Sequence, residues 1–157
     1  MKLERLPAHI TGFSHVREER LRLIPPVEFK RACYAVAQAD GGSIEGFDAS
    51  LISRNFYMAT LKTSTDRFVV LCNCIHPYLA FMCFDPAFVR LGCVPFTEPT
   101  HLGALFAALT KFEPLDAGWL MSELQDYMLE SLTTVEREQV RYWKPTIVGE
   151  VVFHNWD

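Results

Sequence analysis

The sequence predicts an α+β protein: an antiparallel meander of about three to four strands packed with about four to five helices, in a single domain over residues 1–157. Three observations carry this expectation. Apolar residues recur at helical spacing just after residue 26, the pattern changes after residue 52 to β-prone runs split by short polar turns, and helical spacing returns past residue 100. Turns this short leave sequential strands to pair with their neighbours, which makes the meander antiparallel.

Residues 1–24 are weakly defined, with 9–16 read as an extended piece and 17–22 as a mixed-charge, solvated face. From Pro26 the reading sharpens: Phe29, Ala32, Cys33, Val36 and Ala37 fall at i, i+3, i+4, i+7 and i+8, one face of a helix. Proline suits the first turn because its missing N–H would be unpaired there anyway, and Gly41-Gly42 suits the exit. Ile52 to Lys62 and Arg67 to Ile75 read as strands joined through the hairpin loop Thr63-Ser64-Thr65-Asp66. His76-Pro77-Tyr78 makes the next turn, since proline cannot donate to a ladder, and Leu79 to Phe84 resumes the apolar run until Asp85-Pro86. Phe88 to Val94 is a candidate further strand. Both faces of the 68–84 hairpin are apolar, so the sheet is expected to be covered on both sides or to lie at the centre of a homodimer.

In the last third, Leu102, Leu105, Phe106 and Leu109 mark a helix behind Thr100. Ala117, Leu120, Met121, Leu124 and Met128 mark a second one behind Asp116, a residue suited to capping. Thr133 and Glu136 fit a capping box ahead of a short helix with Val135, Gln139, Tyr142 and Trp143 on one face. Thr146 to Asp157 is read as a helix rather than a strand, with Phe153 and Trp156 pinning it to the body.

Composition narrows function by exclusion. Fifteen Lys and Arg against nineteen Asp and Glu give a net charge of −4, a field that repels polyanions, so nucleic acid is not expected as a partner. The best apolar stretch, 68–84, is broken by Asn73, His76 and Pro77, and no membrane span is expected. Five cysteines, an odd number set in apolar segments of a chain this long, read as reduced thiols in a cytoplasm. The charged start Met1-Lys2-Leu3-Glu4-Arg5 does not read as a secretion signal.

The run Cys72-Asn73-Cys74-Ile75-His76 is the strongest chemical pattern. On a strand its Cys and His side chains share one face, with about 6.8 Å between successive Cα atoms and about 13.6 Å between the outer two. One zinc ion with bonds of about 2.0 to 2.3 Å reaches two neighbours but not all three without a bulge. If Pro77-Tyr78 is a two-residue loop, Cys72 lies opposite Cys83, and a site would join Cys72, Cys74 and Cys83 to one remote ligand. A thiolate nucleophile would need an imidazole or a helix N-terminus beside it, as Cys74 with His76 or Cys93 with His101 would offer. The bland alternative is cysteine as a small interior hydrophobe, and it is preferred here because paired C-x-x-C spacing is missing. Glu45 and Asp48 around Phe47 read as solvated loop carboxylates. Phosphate-loop, dinucleotide, nucleophile-elbow, zincin and EF-hand patterns are all absent.

These readings converge on a non-enzymatic cytosolic module, regulatory or immunity-like, that binds a protein partner or a small apolar ligand. No cofactor, resident metal or catalytic residue is assigned. A ligand pocket, if formed, is expected between sheet and helices near Tyr57, His76 and Trp119, where rings can act as anchors. The alternative is a small cysteine- or zinc-dependent enzyme using Cys72, Cys74 and His76.

Overall fold

The computed structural model describes residues 1–15, 20–84 and 96–156. Helix α1 (Pro26–Asp40) buries Phe29, Ala32, Cys33, Val36 and Ala37, the face its spacing predicts. It stops at Gly41, whose φ of 76° lets the Gly42 N–H donate to the Ala37 carbonyl at 2.9 Å. A left-handed residue at this point favours glycine because any Cβ would crowd the following carbonyl.

The chain then builds one sheet in the order β1 (Ser43–Asp48), β2 (Phe56–Lys62), β3 (Arg67–Asn73), β4 (Tyr78–Cys83) and β5 (Phe96–Thr97), all antiparallel. A two-residue strand, β6 (Glu113–Pro114), adds to β4 in parallel. The architecture is the α+β sheet the sequence predicts, with slightly more strands. Strand β1 occupies what reads in sequence as a loop, because Gly46 and a register shift beside it break the alternation that marks a strand. Strand β2 begins at Phe56 rather than Ile52, which stands 83% exposed. The candidate strand at 88–94 lies outside the described residues.

The β3–β4 register also differs from expectation: Cys72 faces Leu79, and Cys83 faces Phe68 at the far end of the hairpin. The cause is Asn73, whose Oδ1 accepts the N–H groups of Ile75 at 2.9 Å and His76 at 3.0 Å and so opens a wider turn than Pro77-Tyr78 alone. The slip is by an even number of residues, so every side chain keeps its predicted face.

Because facing alternates along a strand, the sheet separates two cores. Tyr57, Ala59, Val70, Cys72, Leu79 and Phe81 pack under α1 and under α2 (Thr100–Leu109), which contributes Leu102 and Phe106. Phe56, Val69, Leu71, Ala80 and Met82 pack on the other side against Leu6, Ile10, Trp119 and Val151. The hairpin is therefore covered on both faces within one chain, the first of the two arrangements its apolar faces allow.

Helix α3 (Ala117–Leu120) is much shorter than the spacing of 117–128 predicts. Asp116 caps it as expected, Oδ1 accepting the Trp119 N–H at 2.7 Å. The chain then leaves the helix because Glu123 pairs with Ile147 and the Leu124 N–H donates to the Thr146 carbonyl at 3.0 Å; a 3-10 turn follows at Asp126–Leu129. Helix α4 (Thr134–Trp143) carries the predicted capping box, and α5 (Gly149–Val152) is one turn of the helix expected near the C-terminus. A Cβ on Gly149 would collide with the ring of Phe96, so α5 sits closer to β5 than any other residue would allow. Among the described residues, no helix is long and apolar enough to cross a membrane.

A half-buried turn at residues 8–11 replaces the extended piece expected there. It carries left-handed φ angles of 68° at His9 and 77° at Gly12. Its polar groups are answered by side chains from distant parts of the chain. Glu136, fully buried, accepts from the His9 N–H at 2.9 Å, the Thr11 N–H at 3.0 Å, the Thr11 hydroxyl at 2.7 Å and the Thr133 N–H at 2.9 Å. The Nδ2 groups of Asn55 and Asn73 each donate to both the Ile10 and Val152 carbonyls, at 2.8 to 3.0 Å. Asn55 Oδ1 accepts from the His154 N–H at 2.9 Å.

Asn73→Ala removes two donated bonds and strands the Ile75 and His76 N–H groups. It is expected to lower stability by about 2 to 4 kcal/mol, read as a fall in the urea midpoint with unchanged slope. A loss well under about 1 kcal/mol would show that water replaces the amide without cost.

Candidate functional site

Cys72, at the end of β3, and Cys74 just beyond it share the α1-side core with Cys33 from α1, among Phe29 and Leu79. All three are free, buried thiols. Burial pushes the Cys74 thiol up to about 11 and holds Cys33 well above its ordinary value. For Cys72 burial is again the main cause, and the neighbouring Cys33 and Cys74 add to it against an opposing pull from Lys111. Nucleophilic attack and metal binding both need the thiolate, so these positions behave as protonated packing groups at neutral pH. Cys83 is exposed and lies at the other end of the hairpin from Cys72; Cys93 lies outside the described residues.

Among the described residues His76 makes no hydrogen bond to a thiol. Its Nε2 lies 2.9 Å from the Ala8 carbonyl, and its ring stacks on Tyr78 with centroids 5.6 Å apart. A carbonyl only accepts, so Nε2 carries a proton and donates it to this bond. Among the described residues no group of three or more His, Cys, Asp or Glu side chains is placed to hold a metal ion. Glu45 pairs with Arg67 at 2.7 Å and Asp48 with Arg54 at 2.9 Å, so the two carboxylates serve separate surface ion pairs.

Tyr57 and Trp119 stand on opposite sides of the sheet. Tyr57 is buried in the α1-side core, where its hydroxyl donates to the Ile24 carbonyl at 2.7 Å; burial, and then the nearby Cys74 and Cys72, push its pKa up to about 12. Trp119 is buried in the other core, and His76 sits on the β3–β4 turn, stacked on a Tyr78 that packs against the Trp119 side.

An aromatic ladder runs from the interior to solvent. The rings of Phe13 and His154 stack at 5.3 Å, His154 and Trp156 at 4.3 Å, and Trp156 and Trp143 at 6.3 Å, all within 15° of parallel. Tyr142 then meets Trp143 edge-on at 5.2 Å and is 73% exposed. Gln139 accepts from the Trp143 indole N–H at 3.2 Å and holds that ring in place. Sequence reasoning finds Tyr142, Trp143 and Trp156 but misses Phe13 and His154, for which residue type gives no signal. A second exposed group lies on α1, where Val27 and Tyr34 face solvent. Two shallow concavities lie on the surface: about 270 Å³ at the β2–β3 hairpin loop beside Phe84, and about 260 Å³ between the 3-10 turn and α4.

With this geometry in hand, comparison with protein-family models, with curated proteins and with solved structures finds no match.

His154 gives the fold a pH dependence. Its Nε2 lies 2.6 Å from the Thr11 carbonyl and so bears the proton, while Nδ1 is buried with no hydrogen-bond partner among the described residues. Burial lowers its pKa from an ordinary 6.5 to about 4, partly offset by the bond to Thr11. The unfolded chain therefore binds a proton that the fold rejects. The stability carried by the neutral ring is complete above about pH 6.5 and is lost as pH falls through about 4, a change of roughly 3 kcal/mol. Urea midpoints measured across that window should fall with pH in the wild-type chain. They should be flatter in His154→Gln, which keeps a donor for Thr11 but does not titrate; an equal slope in both would remove His154 as the cause.

Proposed function

We propose that this protein is a non-enzymatic, cytoplasmic binding module that engages a protein partner, in a regulatory or toxin-neutralising role. The observation that carries the reading is the exposed Tyr142 backed by the ring ladder at the end of α4, beside a separate exposed tyrosine, Tyr34, on α1. Tyrosine and tryptophan held in place before contact lose little rotational freedom on binding, which is why such side chains dominate protein interfaces. A protein partner is favoured over a small apolar ligand because Tyr57 and Trp119 each close into a separate core and the described concavities are shallow. Free thiols packed in an apolar interior fit a reducing compartment.

Co-purification from the native host should yield a stoichiometric protein partner. In parallel, site-resolved alkylation at neutral pH separates this reading from a cysteine- or zinc-dependent enzyme built on Cys72, Cys74 and His76. Cys83 should label in the folded protein, whereas Cys33, Cys72 and Cys74 should label slower by roughly a thousandfold, catching up only on denaturation. Fast native labelling of Cys72 or Cys74, or zinc found by elemental analysis, would replace the binding module with the enzyme.

A further inference from the structure

The outer side of α1 inverts the charge of the molecule. Val27, Arg31, Tyr34 and Gln38 fall at i, i+4, i+7 and i+11, a line opposite the buried face of Phe29, Ala32, Cys33, Val36 and Ala37. Leu23, just ahead of the helix, is 45% exposed, Val27 50% and Tyr34 54%. Residues 22–38 contain Arg22, Lys30 and Arg31 against a single acid, Glu28, and Glu28 is bonded to Lys111. Among the described residues no ion pair engages Arg22, Lys30 or Arg31, although the chain as a whole carries −4. Lys30 is held at the rim, its ammonium 5.4 Å from the centre of the Phe47 ring.

We propose that this strip, Arg22, Leu23, Val27, Lys30, Arg31 and Tyr34, is a docking surface for an acidic segment of a protein partner that also presents apolar side chains. The inference rests on the reading of the chain as a protein-binding module and names the surface and the chemistry it takes. Carboxylates on the partner meet Arg31 and Lys30, where a guanidinium can be bonded by both oxygens at once. Its apolar groups cover Val27 and Tyr34. The chain as a whole is acidic, whereas the cations along this strip attract carboxylates, so charge favours approach of an acidic partner to this face. A protein segment fits better than an anionic bilayer or nucleic acid, because it can match a narrow strip without bringing negative charge against the acidic remainder.

The test is an NMR titration of the full chain with a synthetic helical peptide bearing Glu and Leu along one face, with phosphatidylserine vesicles and a DNA duplex run alongside. Amide shifts confined to residues 22–38 are expected. Affinity should drop by about tenfold in Arg31→Glu and in Tyr34→Ala, less in Arg31→Lys, and further as salt is added. Both positions are exposed, so unchanged thermal unfolding confirms that the variants fold. No shift at millimolar peptide, shifts centred elsewhere, or tighter binding to vesicles or duplex would each overturn the proposal. If Tyr142→Ala abolishes binding of a co-purified partner while Arg31→Glu does not, the strip is wrong and the protein-binding reading stands; absence of any partner sinks that reading itself.

Discussion

The fold depends on satisfying one half-buried stretch of backbone, residues 8–12, with side chains from elsewhere. Where this turn enters the core, at Ile10 and Thr11, there is no water to bond with, and each orphaned backbone group there would cost about 1 to 3 kcal/mol. Glu136, Asn55, Asn73, His76 and His154 supply the missing partners. The same five side chains tie α4, both central strands and the C-terminal segment to a single point. Glu136 is the extreme case, a buried carboxylate surrounded by donors and not by a cation, so its charge is spread over four hydrogen bonds.

Local patterns were legible in the sequence; distant pairings were not. The apolar spacing of Phe29 to Ala37, the glycine exit of α1 and the Thr133 with Glu136 capping box all express physics within one helix, and they appear as read. The second role of Glu136 joins residues 125 apart, which no window of sequence reveals. Asn73 misled the register because its side chain, not the proline, sets the width of the turn. Strand β1 was hidden by Gly46, and the helix after Asp116 was shortened by the pairing of Glu123 with Ile147, a tertiary contact outweighing a helical period. At the candidate site Cys33, Cys72 and Cys74 are buried among apolar side chains, whereas Cys83, whose apolar neighbours in sequence suggested the same, is exposed. The placing of Tyr57 and Trp119 on opposite faces needed strand parity and a helix position that composition cannot supply.

Interior and surface carry different groups. The thiols at 33, 72 and 74 and the imidazoles at 76 and 154 face inward or are held by carbonyls, while the Cys83 thiol and the His101 imidazole are exposed. Rings and cations capable of contact face outward on α1 and at the end of α4. Rigidity links the two halves: the stack behind Tyr142 is anchored through His154 to the turn at residues 8–11, so the outermost ring inherits its position from the most constrained part of the fold.

That turn also sets an order on assembly. The bond from His154 to Thr11 spans 143 residues, and the amide of Asn73 waits for the Val152 carbonyl. During synthesis the sheet and α1 can associate early, but the half of the interior around Ile10 stays open until Val152 and His154 have left the ribosome. A chain cut short before residue 152 would keep its strands and lose the lock that closes them, and would be a substrate for chaperones and proteases instead of a finished protein.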